Sequence, residues 1–202
     1  MITEVFYASA NPGKAAEAAA ILAAAGIRMR TIKDFPGYPS PDEDGADFVA
    51  NAVIKARAGF RHAGIPSLGE DAGLEVTALN NEPGLYSARY LGAVPQAARN
   101  ADIIRRLDAV PGTDRGARFH SAVALAGLPG LEAPLVAEGF CYGVIGAAPR
   151  GGHGFGYDPI FILPELGLTF GELDAARKNR ISHRHNALAA LTARLNGMQA
   201  VR

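Results

Sequence analysis

The pattern of apolar and polar positions predicts an alternation of strands and helices. Residues 2–8 form a short apolar run rich in β-formers, and residues 27–32 alternate, so each segment predicts a strand. The alanine-rich tract between them predicts a helix that ends at Gly26. Runs rich in Val, Ala and Leu at 118–126 and 135–145, joined by a Pro/Gly turn, predict an antiparallel hairpin. The predicted sheet is therefore mixed.

Two further segments carry apolar residues at helical spacing. Residues 47–63 predict a helix that Gly64 ends, and residues 97–107 predict an amphipathic helix. The apolar face of the first helix consists of Phe48, Ala52, Ala56 and Phe60. The inward face of the second consists of Ile103, Ile104 and Leu107. Asn51 and Lys55 lie four residues apart on another face of the first helix, so both can contact one ligand. The alternative is an ordinary lysine whose stem covers apolar surface.

The stretch 65–77 places two adjacent acids, Glu70 and Asp71, after an apolar approach. We expect a strand, then a tight turn at Ala72–Gly73, then a second strand. Acids at the carboxyl end of a strand lie where open α/β sheets bind their ligands. A carboxylate there can hold Mg²⁺ or accept a proton from water. The alternative is a solvated loop tip.

The segment after the first strand predicts an anion site. It reads S-A-N-P-G-K from Ser9 to Lys14, with Asn11 suited to cap the helix and Pro12 to its first position. Free N–H groups, the positive end of the helix dipole and a lysine together attract phosphate. The second glycine and the Lys-Ser/Thr pair of a P-loop are missing. The alternative is an ordinary capped helix with a surface lysine.

A Pro-rich, acidic segment at 34–45 predicts a surface loop. Its end carries three acids, Asp42, Glu43 and Asp44. A carboxylate from such a loop can hold a metal ion, since hard cations prefer oxygen ligands. The alternative is a run of solvated charges.

The segment 151–161 is rich in glycine and contains two aromatic residues, Phe155 and Tyr157. Its backbone can lie against a flat ligand, the aromatic rings can stack on a base, and Asp158 can accept hydrogen bonds from base N–H groups. The alternative is a glycine-rich hairpin with packing aromatics.

The last helix is predicted to start after Ser182, a good N-cap. His183 and Arg184 follow in its first turn, where positive charges oppose the helix dipole. An anion or a purine edge at this point would use both side chains.

Composition limits the function classes. The chain has 202 residues and is 49% hydrophobic, which predicts a single folded domain over 1–202. The chain has 20 basic residues (Lys and Arg) and 20 acidic residues (Asp and Glu), so no net positive charge attracts nucleic acid. No apolar run approaches the roughly 20 residues that span a bilayer, so no membrane is expected. One cysteine, Cys141, and the absence of a basic signal-like start predict a cytoplasmic protein.

Six ordered motifs resemble those of the inosine triphosphate pyrophosphatase family, the dITP/XTP pyrophosphatases. The motifs are S-A-N-P-G-K, F-V-A-N-A-V-I-K-A-R, E-D-A-G-L-E-V, P-G-L-Y-S-A-R-Y, G-F-G-Y-D-P-I-F and I-S-H-R. They span nearly the whole chain. The resemblance implies a mixed α/β fold with an elongated central β-sheet flanked by helices, in two lobes with an active-site cleft between them. It also implies a homodimer and the Mg²⁺-dependent hydrolysis of ITP, dITP or XTP to monophosphate and pyrophosphate.

The resemblance also implies roles for individual residues. Asp71 matches the catalytic aspartate, which activates water and helps to hold Mg²⁺. Glu43 matches a metal-binding acid, and we expect Glu70 to join them as a metal ligand. The residues expected at the phosphates are Ser9, Ala10, Asn11, Pro12, Gly13, Lys14, Lys55 and Ala72. Those expected at the base are Phe155, Gly156, Tyr157, Asp158, Lys178, His183 and Arg184. Arg184 and His183 are expected to donate to the 6-keto oxygen of the purine.

The chain departs from the family pattern at a few positions. Ala72 replaces a serine, Ala50 replaces a glutamate, and His185 replaces a glycine. We expect changes in rate or metal affinity from these departures, because Asp71 and the lysines are present. Two alternatives stay open: a nucleotide sensor that does not hydrolyse its ligand, and a pyrophosphatase for pyrimidine or other modified nucleotides.

Overall fold

A computed structural model describes residues 2–200, and at positions 199 and 200 it describes the backbone alone. The chain divides into two compact units. Unit 1 comprises residues 2–71, 121–139 and 183–200, and unit 2 comprises residues 72–120 and 140–182. The apolar cores follow the same division, so each unit has a core of its own.

The sheet is mixed, as predicted. Its strands are β1 (Glu4–Tyr7), β2 (Arg28–Arg30), β3 (Ser67–Val76), β4 (Glu82–Pro83), β5 (Gly116–Ala126), β6 (Leu135–Ile145), β7 (Phe161–Leu163) and β8 (Leu168–Thr169). The order is β2-β1-β3-β5-β6-β7-β8, and β4 pairs with β3. Strand β1 is parallel to β2 and to β3, whereas β4 is antiparallel to β3 and β7 is antiparallel to β6 and β8. The prediction of a mixed α/β fold is therefore confirmed, and the cleft stays a prediction.

The described residues also form five α-helices. They are α1 (Pro12–Ala24), α2 (Phe48–Ala63), α3 (Gln96–Asp108), α4 (Ala175–Ile181) and α5 (His183–Ala200). The sequence did not predict α4, because its seven residues are too few to show an apolar period. No helix among the described residues has the length and apolar content that a bilayer crossing needs.

The core of unit 1 forms around β1, with α1 and α5 packed together. Tyr7, Leu68 and Leu188 are buried at its centre. In α2, Phe48, Ala52 and Ala56 are buried as predicted. Phe60 is 39% exposed, so the apolar face is only partly buried at this end of α2.

Unit 2 has a second core, built by strand segments, α3 and the aromatic residues of β7 and the segment after β8. Phe119, Phe161 and Phe170 pack with ring centroids 4.7 to 5.8 Å apart. Ile103 and Leu107 enter this core, which confirms the predicted inward face of α3.

Candidate active site

The turn between β1 and α1 has the predicted form of an anion site. Asn11 caps α1, and its Oδ1 accepts a hydrogen bond from the Lys14 N–H at 3.0 Å. Ser9 Oγ accepts from the Asn11 N–H at 3.3 Å, and Pro12 occupies the first helical position. The strand, turn and helix start are confirmed. The phosphate-binding role of the segment stays a prediction.

Lys14 lies in the electrostatic field of the predicted catalytic acids. Burial lowers the pKa of Lys14, and the neighbouring charges of Lys55 and Arg184 lower it further. The carboxylates of Glu70 and Asp71 oppose this shift. The structure therefore brings the helix-start lysine into range of the acids from β3.

Asp71 and Glu43 meet at the ammonium group of Lys55. Lys55 Nζ lies 3.1 Å from Asp71 Oδ1 and 2.9 Å from Glu43 Oε2, and it also donates to the backbone carbonyl of Glu70 at 3.1 Å. Only 9% of the Lys55 side chain is exposed. The alternative of an ordinary surface lysine is therefore excluded, because the charged end is buried among acids.

Asn51 contacts the other oxygen of the same aspartate. Its Nδ2 donates to Asp71 Oδ2 at 3.0 Å, and its Oδ1 accepts from the Gly45 N–H at 2.8 Å. The sequence predicted that Asn51 and Lys55 can contact one ligand. In the structure both side chains contact Asp71, and a shared ligand stays a prediction.

Strand β3 runs unbroken through the segment expected to turn. Ser67–Val76 is one strand, so the predicted turn at Ala72–Gly73 is wrong. Neighbouring residues of a strand point to opposite faces, and Glu70 and Asp71 therefore point away from each other. Gly69 lets α2 approach the strand, since a β-carbon there would lie 2.2 Å from the Ala52 carbonyl oxygen. This close approach brings Lys55 to Asp71.

The Glu70 carboxylate is the acceptor of a buried network of hydrogen bonds and ion pairs in unit 1. Arg184 Nε lies 2.9 Å from each of its carboxylate oxygens, and Arg184 Nη2 lies 2.7 Å from Oε1. Tyr7 Oη donates to Oε2 at 2.5 Å, and Ser121 Oγ donates to Oε1 at 3.1 Å. Burial alone would raise the pKa of Glu70. The charges of Arg184 and Lys14 outweigh burial and hold that pKa well below its usual range.

The metal-binding role predicted for Glu70 does not fit these contacts. Both of its oxygens are engaged by donors, and its side chain points away from that of Asp71. Within residues 2–200, no three His, Cys, Asp or Glu side chains form a group that could hold a metal ion. Asp71 and Glu43 stay the predicted metal-binding acids.

Arg184 is likewise placed differently from the prediction. It is 1% exposed, and besides Glu70 it forms an ion pair with Glu17 of α1. A guanidinium paired with two buried carboxylates has few N–H donors left for a purine edge. The predicted donor role of Arg184 therefore does not fit its position. His183 is also buried, and its role at the base stays a prediction.

The glycine-rich segment of unit 2 folds around Asp158. Asp158 Oδ2 accepts from the Phe155 N–H at 2.7 Å and lies 2.5 Å from Lys178 Nζ. Gly154 is required here, because a β-carbon would lie 2.0 Å from Asp158 Oδ2. Asp158 and Lys178 are both buried, so the predicted acceptor role of Asp158 toward a base does not fit.

The two aromatic residues of this segment have different environments. Tyr157 is 4% exposed, and its hydroxyl donates to the Ser87 carbonyl at 2.9 Å, so a stacking role does not fit. Phe155 is only half-buried, and Lys178 Nζ lies 4.8 Å from its ring centroid. Phe155 and Gly156 therefore stay the predicted base-binding residues of this segment.

Glu17, Tyr7 and Ser121 were not singled out from the sequence. Each contacts Glu70 or Arg184 in unit 1. One sequence signal existed for Glu17, which is the only charged residue between Lys14 and Arg28. Buried charges are paired, and Glu17 is buried with Arg184 as its partner.

Comparisons with known proteins identify the family of the chain. Residues 5–194 match the model of the Ham1 family. The chain is 47% identical over 189 residues to a dITP/XTP pyrophosphatase of Geobacillus kaustophilus, covering 93% of this chain and 92% of that protein. A solved HAM1 protein from Coxiella burnetii has a TM-score of 0.85 at 40% identity, covering 98% of this chain and 100% of that one.

A second solved structure is a nucleoside-triphosphatase, dITP/XTP pyrophosphatase, from Mycobacterium abscessus. It has a TM-score of 0.72 at 42% identity and covers 93% of this chain and 98% of that one. The resemblance drawn from the six motifs is therefore confirmed: the chain belongs to the Ham1 family.

Proposed function

We propose that this chain hydrolyses the non-standard purine nucleoside triphosphates ITP, dITP and XTP to the monophosphate and pyrophosphate. The observation that carries the proposal is the convergence of Lys55, Asn51 and Glu43 around the carboxylate of Asp71. The relatives named dITP/XTP pyrophosphatase, matched over more than nine tenths of the chain, support the substrate class.

The acids present fit a magnesium ion that arrives with its substrate. Asp71 Oδ1 and Glu43 Oε2 both lie within 3.1 Å of one cation, the ammonium of Lys55, which shows that the two carboxylates can share a positive charge. Mg²⁺ is usually bound by one or two carboxylates together with substrate phosphates. Asp71 and Glu43 would hold the ion, which when bound neutralises charge on the triphosphate.

Asp71 accepts the proton of the attacking water. The water oxygen bonds to the α-phosphorus as the bond from that phosphorus to the bridging oxygen breaks, and pyrophosphate takes up the released electron pair. Donors on both carboxylate oxygens hold the orientation of Asp71. Lys14 and Lys55 stabilise the negative charge that develops on pyrophosphate.

The residues proposed for base recognition are Phe155 and the backbone of Gly156 in unit 2, and His183 in unit 1. An aromatic ring can stack on a purine, and N–H donors can pair with its 6-keto oxygen. Adenine presents an amino group at that position, which leaves such donors unpaired at a cost of about 1–3 kcal/mol each. The assembly is a homodimer, as the family resemblance implies.

Replacing Lys14 with alanine is expected to lower kcat/KM for every nucleotide by a similar factor, ~10²–10³. Phosphates carry no base identity, so the ITP-to-GTP ratio should stay the same. Steady-state kinetics on both substrates measures this. Lys33→Ala is the matched control, since Lys33 is an exposed loop lysine and its loss should leave the rate unchanged. A change in the base preference larger than the change in overall rate would remove Lys14 from the phosphates.

A substrate panel tests the proposed function directly. Pyrophosphate release is measured with ITP, dITP, XTP, GTP, ATP and dUTP, with and without Mg²⁺. We expect Mg²⁺-dependent release, with kcat/KM for the first three at least ~10²-fold above that for ATP. Tight nucleotide binding without release would instead identify a sensor, and fastest release from dUTP would identify a pyrophosphatase for other nucleotides. Either result overturns the proposal.

A further inference from the structure

The side chain of Asn51 joins the two parts of unit 1 that carry the acids of the proposed site. One end of its amide donates to Asp71 Oδ2, and the other accepts from the Gly45 N–H. A backbone N–H can only donate and an ionised carboxylate can only accept, so these two partners fix the orientation of the amide. Asn51 is 1% exposed, and water therefore has little access to either hydrogen bond.

Gly45 anchors the acidic loop onto α2 at the same point. A β-carbon at Gly45 would lie 2.6 Å from Asn51 Oδ1 and 2.8 Å from the β-carbon of Ala50. Only glycine allows this approach, and Gly45 comes two residues after Glu43. The amide of Asn51 therefore holds the loop that presents Glu43.

Asp71 depends on Asn51 for its orientation. Asn51 and Lys55 lie one helical turn apart on α2, and each contacts a different oxygen of the Asp71 carboxylate. Lys55 also contacts Glu43, so its charge is shared between two acids. Without Asn51, the carboxylate is held at one oxygen only and can rotate about its Cβ–Cγ bond. A base that must reorganise before it accepts a proton loses the advantage of a preorganised site.

We propose that Asn51 is a positioning residue of the active site, which holds Asp71 in its working orientation and anchors the loop of Glu43. It acts through these acids and does not itself contact the reacting atoms. This inference rests on the proposed function, in which Asp71 accepts the proton of the attacking water.

Two substitutions test separately the hydrogen bond from Asn51 to Asp71 and the hydrogen bond from Gly45 to Asn51. Asn51→Asp keeps the shape and the acceptor for Gly45 but replaces the donor to Asp71 with a second carboxylate. Gly45→Ala keeps the donor and displaces the loop. Asp47→Ala is the matched control, because the Asp47 side chain caps the same end of α2 by accepting from the Ala50 N–H at 2.7 Å and is placed in no catalytic role.

The measurements are kcat and KM for ITP at saturating Mg²⁺, and the melting temperature of each variant. We expect Asn51→Asp to lower kcat by ~10–100-fold with KM changed less than ~3-fold, the pattern of a lost transition-state contribution. Gly45→Ala should lower kcat less than Asn51→Asp does. Asp47→Ala should lower the melting temperature and leave kcat unchanged. Asn51→Ala, which removes both links without adding charge, replaces Asn51→Asp if the latter does not fold.

Different results would overturn the proposed hydrolysis and the positioning role of Asn51. A wild-type protein that releases no pyrophosphate overturns the proposed function and the role of Asn51 in it. An active wild type with Asn51→Asp at the same kcat overturns the positioning role alone. The positioning role is also overturned if kcat and melting temperature fall together, by the same amounts in Asn51→Asp and in Asp47→Ala. Asn51 would then be a structural residue.

Discussion

Replacing Asp71 with asparagine is expected to lower kcat for ITP at least ~10³-fold, while the nucleotide still binds. The amide has the shape of the carboxylate but cannot accept the proton of water, and it is a weaker ligand for a divalent cation. Asp71 is buried, with one donor on each carboxylate oxygen, so its orientation is fixed by its neighbours. Turnover and nucleotide affinity are measured on the same preparation, by pyrophosphate release and by calorimetry.

Asp42→Asn is the control for Asp71→Asn. Asp42 is an exposed acid in the same loop as Glu43, and its neutralisation should change kcat less than ~3-fold. Turnover of Asp71→Asn within a few-fold of wild type would remove Asp71 from the mechanism. A loss of nucleotide binding as large as the loss of rate would instead give Asp71 a role in binding alone.

Replacing Arg184 with alanine is expected to lower the free energy of unfolding by about 3–5 kcal/mol. The change leaves Glu70 and Glu17 in the interior without their shared cation, and a buried uncompensated charge is costly. For a chain of this length the melting temperature should fall by roughly 6–20 °C. Differential scanning calorimetry and urea unfolding measure both quantities.

Arg28→Ala is the matched control for the arginine network. Arg28 pairs with Glu4 at 3.5 Å, but 74% of its side chain is exposed, so its loss should cost less than ~1 kcal/mol. The sequence-based hypothesis makes a different prediction for Arg184→Ala: efficiency on ITP and XTP falls by ~10–200-fold, with a much smaller effect on ATP. That result in a protein as stable as the wild type would support the role of Arg184 at the base and contradict its structural role.

Features fixed by local chemistry could be predicted from the sequence. Helix α2 begins and ends where its caps lie, with Asp47 accepting from the Ala50 N–H and Gly64 in the left-handed conformation. Helix α1 begins at Pro12 after the Asn11 cap for the same reason. Such signals need only the residues within one helical turn, and a single sequence contains them.

Strand β3 shows where local signals fail. Ala72–Gly73 has the composition of a turn, yet pairing with neighbouring strands keeps the segment extended. The wrong turn also affected the predicted metal site, because a turn would have let Glu70 and Asp71 face one metal ion. In a continuous strand, adjacent side chains point to opposite faces. Glu70 accordingly contacts Arg184, whereas Asp71 contacts Lys55.

The contacts of Arg184 could not be predicted, because its partner Glu70 is 114 residues away in the chain. The family motifs name candidate residues for the site but not the pairs that these residues form. Asn51 is a similar case: its helical spacing to Lys55 was visible, but its acceptor on β3 was not. Pairing across the fold depends on tertiary packing, which no local pattern records.

The position of the ¹⁸O label after ITP hydrolysis in H₂¹⁸O tests whether water attacks the α-phosphorus. Attack of water on the α-phosphorus places the label in the monophosphate and leaves pyrophosphate unlabelled, and this is the result the proposed mechanism predicts. Phosphorus NMR of the products reads the label directly. Label in pyrophosphate, or release of IDP and inorganic phosphate, would show that water attacks a different phosphorus and would contradict the mechanism.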